Sequence, residues 1–138
     1  MVSFSVQSGA PILAVSNMAA SMAFYGDRLG FQVDVRFDDP PFAILSHGPV
    51  GLCLAEEGHP APDLRGHVMT VPGDPARLGV VIVLRVADVG AVREELEAAG
   101  VPFASELWSP PWGGVRFFAR DPDGYLIEFE TLVGSANA

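Results

Sequence analysis

Residues 116–128 read Arg116-Phe117-Phe118-Ala119-Arg120-Asp121-Pro122-Asp123-Gly124-Tyr125-Leu126-Ile127-Glu128, two alternating runs hinged on a tight turn. Pro122 presets φ at the first corner, and Gly124 accepts the positive φ that a Cβ resists. The pattern predicts antiparallel strands over 115–119 and 125–131. Because side chains two apart share a face, Arg116, Phe118 and Arg120 lie opposite Val115, Phe117 and Ala119. By the same rule Glu128 shares its face with Leu126 and Glu130, while Ile127 and Phe129 take the other. The apolar set belongs under a helix and the polar set on the open face.

That helix stands upstream. After an apolar strand over 80–86, Asp88 is placed to cap a helix whose Val89, Val92, Leu96 and Ala99 recur on one face, and Gly100 stops it. Glu94, Glu95 and Glu97 form its solvated side. A short strand near 102–104 and a loop carrying Trp108 and Trp112 lead back to residue 115. The same plan occurs earlier in the chain. Ala14-Val15-Ser16-Asn17-Met18, a helical pattern and Gly30-Phe31 echo Arg85-Val86-Ala87-Asp88-Val89, a helical pattern and Gly100-Val101. The first unit predicts a strand over 11–15, an Asn17 cap, and a helix over 18–29 with Met18, Met22, Tyr25 and Leu29 as its buried stripe. Strands near 31–37, 42–46 and 50–55 follow. The expected organisation is one domain over 1–138, with module one at about 8–56, a Pro- and Gly-rich linker at about 57–77 and module two at about 78–133. The linker is a candidate flap over whatever lies beneath it.

Composition narrows the class of function. The chain of 138 residues with 49% apolar content can bury a core without disulfides, and the lone Cys53 makes no internal bridge. A formal charge of −9, with every basic residue an Arg and none clustered, argues against nucleic acid as a partner and favours cationic ligands. The longest apolar run, 78–84, is too short to span a bilayer, so no membrane partner is expected and the cytoplasm is the expected compartment.

Three stretches in order, Ser21-Met22-Ala23-Phe24-Tyr25 before Leu29-Gly30-Phe31, the helix over 89–100, and residues 116–128, give a chain that resembles the vicinal oxygen chelate superfamily. This group includes glyoxalase I, fosfomycin-resistance transferases, extradiol dioxygenases and the bleomycin-resistance proteins. The resemblance covers nearly the whole chain. It implies an α+β fold of two tandem βαβββ modules, forming a curled, cup-shaped mixed sheet with helices outside. It also implies a homodimer, and in the family's enzymes a divalent metal inside the cup. Counted from the strand ends, the imidazole positions of metal-binding relatives fall at Ala10 and Val81, neither of which offers a lone pair. Only the last-strand carboxylate remains, as Glu128, and one carboxylate is a poor site for Zn, Fe, Mn or Ni. The expected metal ligands are therefore none, and no cofactor is expected.

The remaining side chains suit holding a molecule. Trp108 and Trp112 flank Ser109-Pro110-Pro111, where rigid aromatic faces can stack on a flat ligand or else seal a core or dimer contact. Arg116 and Glu128 are expected to pair across adjacent strands beside Phe118. Phe37 and Phe42, either side of Asp38-Asp39-Pro40-Pro41, are candidates for an opposing wall, and His47 for a hydrogen bond to ligand. If any residue is catalytic it is Glu128, as a general base. The expectation is metal-independent binding and sequestration of a small organic molecule, aromatic or cationic, an antibiotic for instance, in the manner of the bleomycin-resistance proteins. The alternative is a metal-dependent glyoxalase-, lyase- or dioxygenase-like enzyme using Glu128 with His47 or His59.

Overall fold

The computed structural model describes residues 2–132. The chain divides between Val71 and Pro72 into two compact units, each an α+β module.

Module one contains β1 (Ile12–Val15), a short helix α1 (Met18–Met22) that runs into a π-helical segment (Ala23–Arg28), β2 (Gln32–Asp38), β3 (Pro41–His47) and β4 (Val50–Glu56). Its sheet order is β1-β4-β3-β2, with β1 parallel to β4 and the other pairs antiparallel. Asn17 caps α1 as expected, its Oδ1 accepting from the amide of Ala20 at 3.0 Å. The helix expected over 18–29 runs without a gap to Arg28 but widens from α to π after Met22. The amide of Leu29 donates to the carbonyl of Phe24, five residues back, and that of Phe31 to Tyr25. The wider turn brings the adjacent Phe24 and Tyr25 inward together, both at 1% exposure or less. The buried set is thus Met18, Ser21, Phe24 and Tyr25, with Met22 and Leu29 only half-buried. These rings share the core with Leu13, Val15, Leu52 and Leu54 on the covered face of the sheet. Each such side chain contributes about 1.5–3 kcal/mol through burial.

The linker splits between the units. Residues 57–71 form a strap tied at its base, where the amide of Val71 donates to Oε1 of Glu57 at 3.0 Å and that of Gly58 to the carbonyl of Met69 at 3.2 Å. Pro75, further along, stands against Gly124 of the 121–124 turn and gives its carbonyl to Arg120 at 2.7 Å.

Module two contains β5 (Val81–Arg85), α2 (Val89–Ala98), β6 (Val115–Arg120) and β7 (Leu126–Thr131), in the sheet order β5-β7-β6. Asp88 caps α2 through the amide of Ala91 at 3.0 Å. Thr131 clips the helix to the sheet: its Oγ1 accepts from the amide of Val89 at 3.1 Å and donates to the carbonyl of Val86 at 2.9 Å. In the opening turn Asp121 is buried, and its Oδ1 accepts the amides of Asp123 and Tyr125, both at 2.9 Å. The strand expected near 102–104 shrinks to one bridge, Phe103 with Ala119. Pro102 and the turn-forming residues after Ala104 leave too little extended backbone for a ladder. The expected end of module two at residue 133 lies outside the described residues. Among the described residues no helix is long and apolar enough to cross a membrane.

Candidate functional site

The alternation of β6 and β7 sets up the site. Phe117, Ala119, Ile127, Phe129 and Thr131 are buried on the face that α2 covers, so Arg116, Phe118, Leu126, Glu128 and Glu130 are carried on the other. Register aligns Val83, Glu128 and Phe118 across the three strands, and Arg85, Glu130 and Arg116 one pair further along.

Trp108 and Trp112 are placed by backbone. Trp108 exchanges two hydrogen bonds with Arg116, each at 2.9 Å, which makes residues 108–116 a hairpin on the edge of β6. The loop closes through a turn in which the amide of Gly113 donates to the carbonyl of Pro110. The indoles of Trp108 and Trp112 meet edge to face at 5.7 Å and are 46% and 72% exposed. The guanidinium of Arg116 lies 5.0 Å from the Trp108 ring, 5.6 Å from Trp112 and 5.1 Å from Phe118. Cation–π contacts of this kind contribute about 0.5–1 kcal/mol each while exposed and about 2 once desolvated.

Arg116 also reaches Oε1 of Glu128 at 3.5 Å, while Arg85 reaches Oε1 of Glu130 at 2.9 Å. Burial raises the Glu128 carboxyl above its ordinary range, and a hydrogen bond with Glu130 and that neighbour's charge raise it further. Arg116 and Arg85 oppose the shift without cancelling it. The Nε of Arg116 is buried and makes no hydrogen bond among the described residues.

A raised carboxyl has a testable sign. Stability from Glu128 is fully present below its ordinary value of 4.5 and is lost as pH rises through the raised folded value, because the folded state binds the proton more tightly. Glu128→Gln is therefore expected to gain stability relative to the parent as pH rises from 4 to 8. Parallel urea titrations at several pH values check this, and a gap between the two proteins that is constant with pH would contradict it.

The other expected site residues lie in module one. Phe37 and Phe42 are cross-strand partners with ring centroids 6.5 Å apart; Phe37 is 56% exposed, and Phe42 lines a cavity of about 700 Å³ on the open face. His47 is at the far end of β3, packed edge-on against Phe31 at 5.4 Å and beside Gly30. It lies five positions beyond Phe42, so the two point to opposite faces about 17 Å apart. The structure brings Trp108, Trp112, Arg116, Phe118 and Glu128 into one cluster and leaves His47 apart from Phe42. Glu130 and Arg85 belong to the cluster without having been singled out, although the i, i+2 spacing of Glu128 and Glu130 carried the signal for the first.

The residues present do not fit the divalent metal that the resemblance implies. Val81 lies on β5 opposite Leu126, with no donor atom, and Ala10 precedes β1 against Gly51. The carboxyl of Glu128 is engaged by Arg116 and Glu130. His59 pairs with Glu56 at 3.4 Å, and Nδ1 of His67 meets the carbonyl of Arg65 at 2.9 Å. Among the described residues no group of three or more His, Cys, Asp or Glu could hold a metal ion.

Comparison with known proteins extends the picture. A family model described as the Glyoxalase/Bleomycin resistance protein/Dioxygenase superfamily matches residues 7–129. A glyoxalase/bleomycin resistance protein/dioxygenase from Nocardioides is 22% identical with a TM-score of 0.73, the match covering 96% of this chain and 86% of that one. TioX from Micromonospora sp. ML1 is 22% identical with a TM-score of 0.71, over 92% of this chain and 99% of that one. A glyoxalase-related enzyme from Fulvimarina pelagi is 25% identical with a TM-score of 0.71, over 91% and 87%. No curated protein matches the chain.

Proposed function

We propose that this chain, which belongs to the Glyoxalase/Bleomycin resistance protein/Dioxygenase superfamily, binds and sequesters a small organic molecule without a metal, in the manner of the bleomycin-resistance proteins. The observation that carries the reading is the cluster on module two: one guanidinium against three aromatic rings, with a carboxyl 3.5 Å away. Such a surface can stack a flat ring on the exposed Trp112 face, donate to a ligand oxygen from Arg116 and accept from a ligand N–H or ammonium at Glu128. By the resemblance, the family's chelating positions hold Ala10 and Val81, neither of which offers a lone pair. A homodimer in the soluble compartment of the cell is part of the same proposal, since Val81 and Val83 leave apolar surface on β5 at 39% exposure each.

Both tryptophans of the chain lie in this cluster, so indole fluorescence reports directly on it. In a screen of polycyclic and glycosylated aromatic natural products, hits are expected to quench that fluorescence. Trp112→Ala should weaken each hit at least tenfold, about 1.4 kcal/mol. Hits whose affinity is unchanged in Trp112→Ala, measured by calorimetry, would remove the stacking role.

A further inference from the structure

We propose that Arg93 and Ser105 set the register of the tryptophan hairpin and so act as positioning residues for the ligand. The inference rests on the reading of the Trp108 and Trp112 cluster as the binding site, and names what aims it.

Residues 102–108 follow the outer edge of β6, antiparallel to it. The amide of Arg120 donates to the carbonyl of Pro102 at 3.0 Å, Phe103 bridges Ala119, and the amide of Ala104 donates to the carbonyl of Phe118 at 2.8 Å. Continued without interruption, this register would put Glu106 opposite Arg116. Trp108 stands there instead. From Ala104 to Trp108 the segment advances four residues while β6 runs only two, from Phe118 back to Arg116, so residues 105–107 carry a two-residue bulge.

Two side chains hold that bulge. Ser105 Oγ accepts the amide of Phe118 at 2.9 Å, the bond that the carbonyl of Ala104 would accept in an uninterrupted ladder. Arg93, reaching from α2, donates from Nη1 to the carbonyl of Ser105 at 2.9 Å. Its guanidinium lies 4.2 Å from the Phe103 ring and 5.0 Å from Phe117, and its side chain is 15% exposed, so the planar donor is fixed where the loop meets it. The other arm, Nη2 to Oε2 of Glu106 at 3.3 Å, ends on a carboxylate that is 94% exposed and contributes little.

The bulged and uninterrupted registers are close competitors. A shift of two residues returns every side chain to its own face, so alternation does not choose between them. The uninterrupted register would give Phe118 a main-chain acceptor and set Glu106 across from Arg116, where opposite charges attract. Arg116 would then exchange an indole for a carboxylate. Ser105 cancels the first advantage by supplying its own oxygen to Phe118, and the charge-assisted bond from Arg93 holds the bulged backbone against the second.

Three variants test the clasp. Arg93→Lys keeps the charge and loses the forked donor, Ser105→Ala leaves the Phe118 amide without Oγ, and Ser105→Thr restores an oxygen there. In the ligand-free chain, Arg93→Lys and Ser105→Ala are expected to lose the exciton signal that edge-to-face indoles give in circular dichroism. Residue-resolved hydrogen exchange should show protection moving from the amide of Trp108 to that of Glu106, with residues 126–131 protected as in the parent. Ser105→Thr should retain both parent signatures. Affinity for hits of the aromatic screen should fall about tenfold in the first two variants and stay at the parent value in the third. If either of the first two fails to fold, the other decides. A parent-like indole signal and Trp108 protection in a folded Arg93→Lys or Ser105→Ala would overturn the proposal, whatever the change in stability. Both signatures are read without ligand, so a screen in which no compound quenches the indoles would count against the binding reading and not against the clasp.

Discussion

Gly114→Ala is expected to lower the stability of the protein by about 3 kcal/mol, among the largest losses available from a single added methyl group. Gly114 sits at φ +78°, and a Cβ built there would stand 2.7 Å from the carbonyl oxygen of Thr131. The left-handed conformation alone costs a residue with a Cβ about 1–2 kcal/mol. The clash adds to this because its partner is backbone at the end of β7, which cannot rotate away. Gly100→Ala separates the two effects: its φ is also +78°, and nothing lies within 4 Å of the added Cβ. Its expected loss is about 1 kcal/mol. Urea titrations of the two variants measure the difference, and equal losses would contradict the close approach. Function follows from the same geometry, since the hairpin that Gly114 closes is the one that aims Trp108 and Trp112.

Phe117 and Phe118 are neighbours with opposite expected outcomes. Phe117 is fully buried, stacked on Phe129 at 5.2 Å, edge-on to Phe103 at 5.3 Å, and covered by the guanidinium of Arg93 at 5.0 Å. Phe117→Ala leaves a ring-sized hole in that stack and should cost about 3–5 kcal/mol. Phe118 is half-buried on the open face against Arg116. Phe118→Ala should cost about 1 kcal/mol in stability and weaken ligand binding at the tryptophan cluster severalfold. Denaturation curves check the first pair of values, and fluorescence titration the second. A larger stability loss for Phe118→Ala than for Phe117→Ala would mean that the strand faces are reversed.

Much of this was legible before any coordinates. The caps at Asn17 and Asp88, the turn at 121–124 and the facing of β6 against β7 depend on local chemistry and on a period of two, and each stands where the residues imply. The π-helical segment was not legible, because a stripe counted at 3.6 residues per turn selects Met22 and Leu29. The structure keeps Met18 and Tyr25 of that stripe buried, adds Phe24 beside Tyr25, and leaves Met22 and Leu29 half-buried. The strap was recognisable as a linker without regular elements by its prolines and glycines, but its ties from Glu57 to Val71 and Gly58 to Met69 are long-range pairings without periodicity. Likewise Arg85 joins the Glu128 cluster only through the register of β5 on β7, two strands that lie 45 residues apart at the Arg85–Glu130 contact.

What unites the module-two site residues is a sheet face that carries the Glu128 carboxyl beside aromatic rings and has Val81 where the resemblance puts a chelating imidazole. That makes retention of a ligand without metal the central claim. Native mass spectrometry of the purified chain tests it most directly, with a screening hit added after dialysis against EDTA and again with Zn, Mn, Fe and Ni supplied. The account predicts a complex of unchanged ligand mass in both conditions, with no metal retained in stoichiometric amount. One tightly held metal ion per chain, or a ligand released with altered mass only when the metal is present, would contradict it.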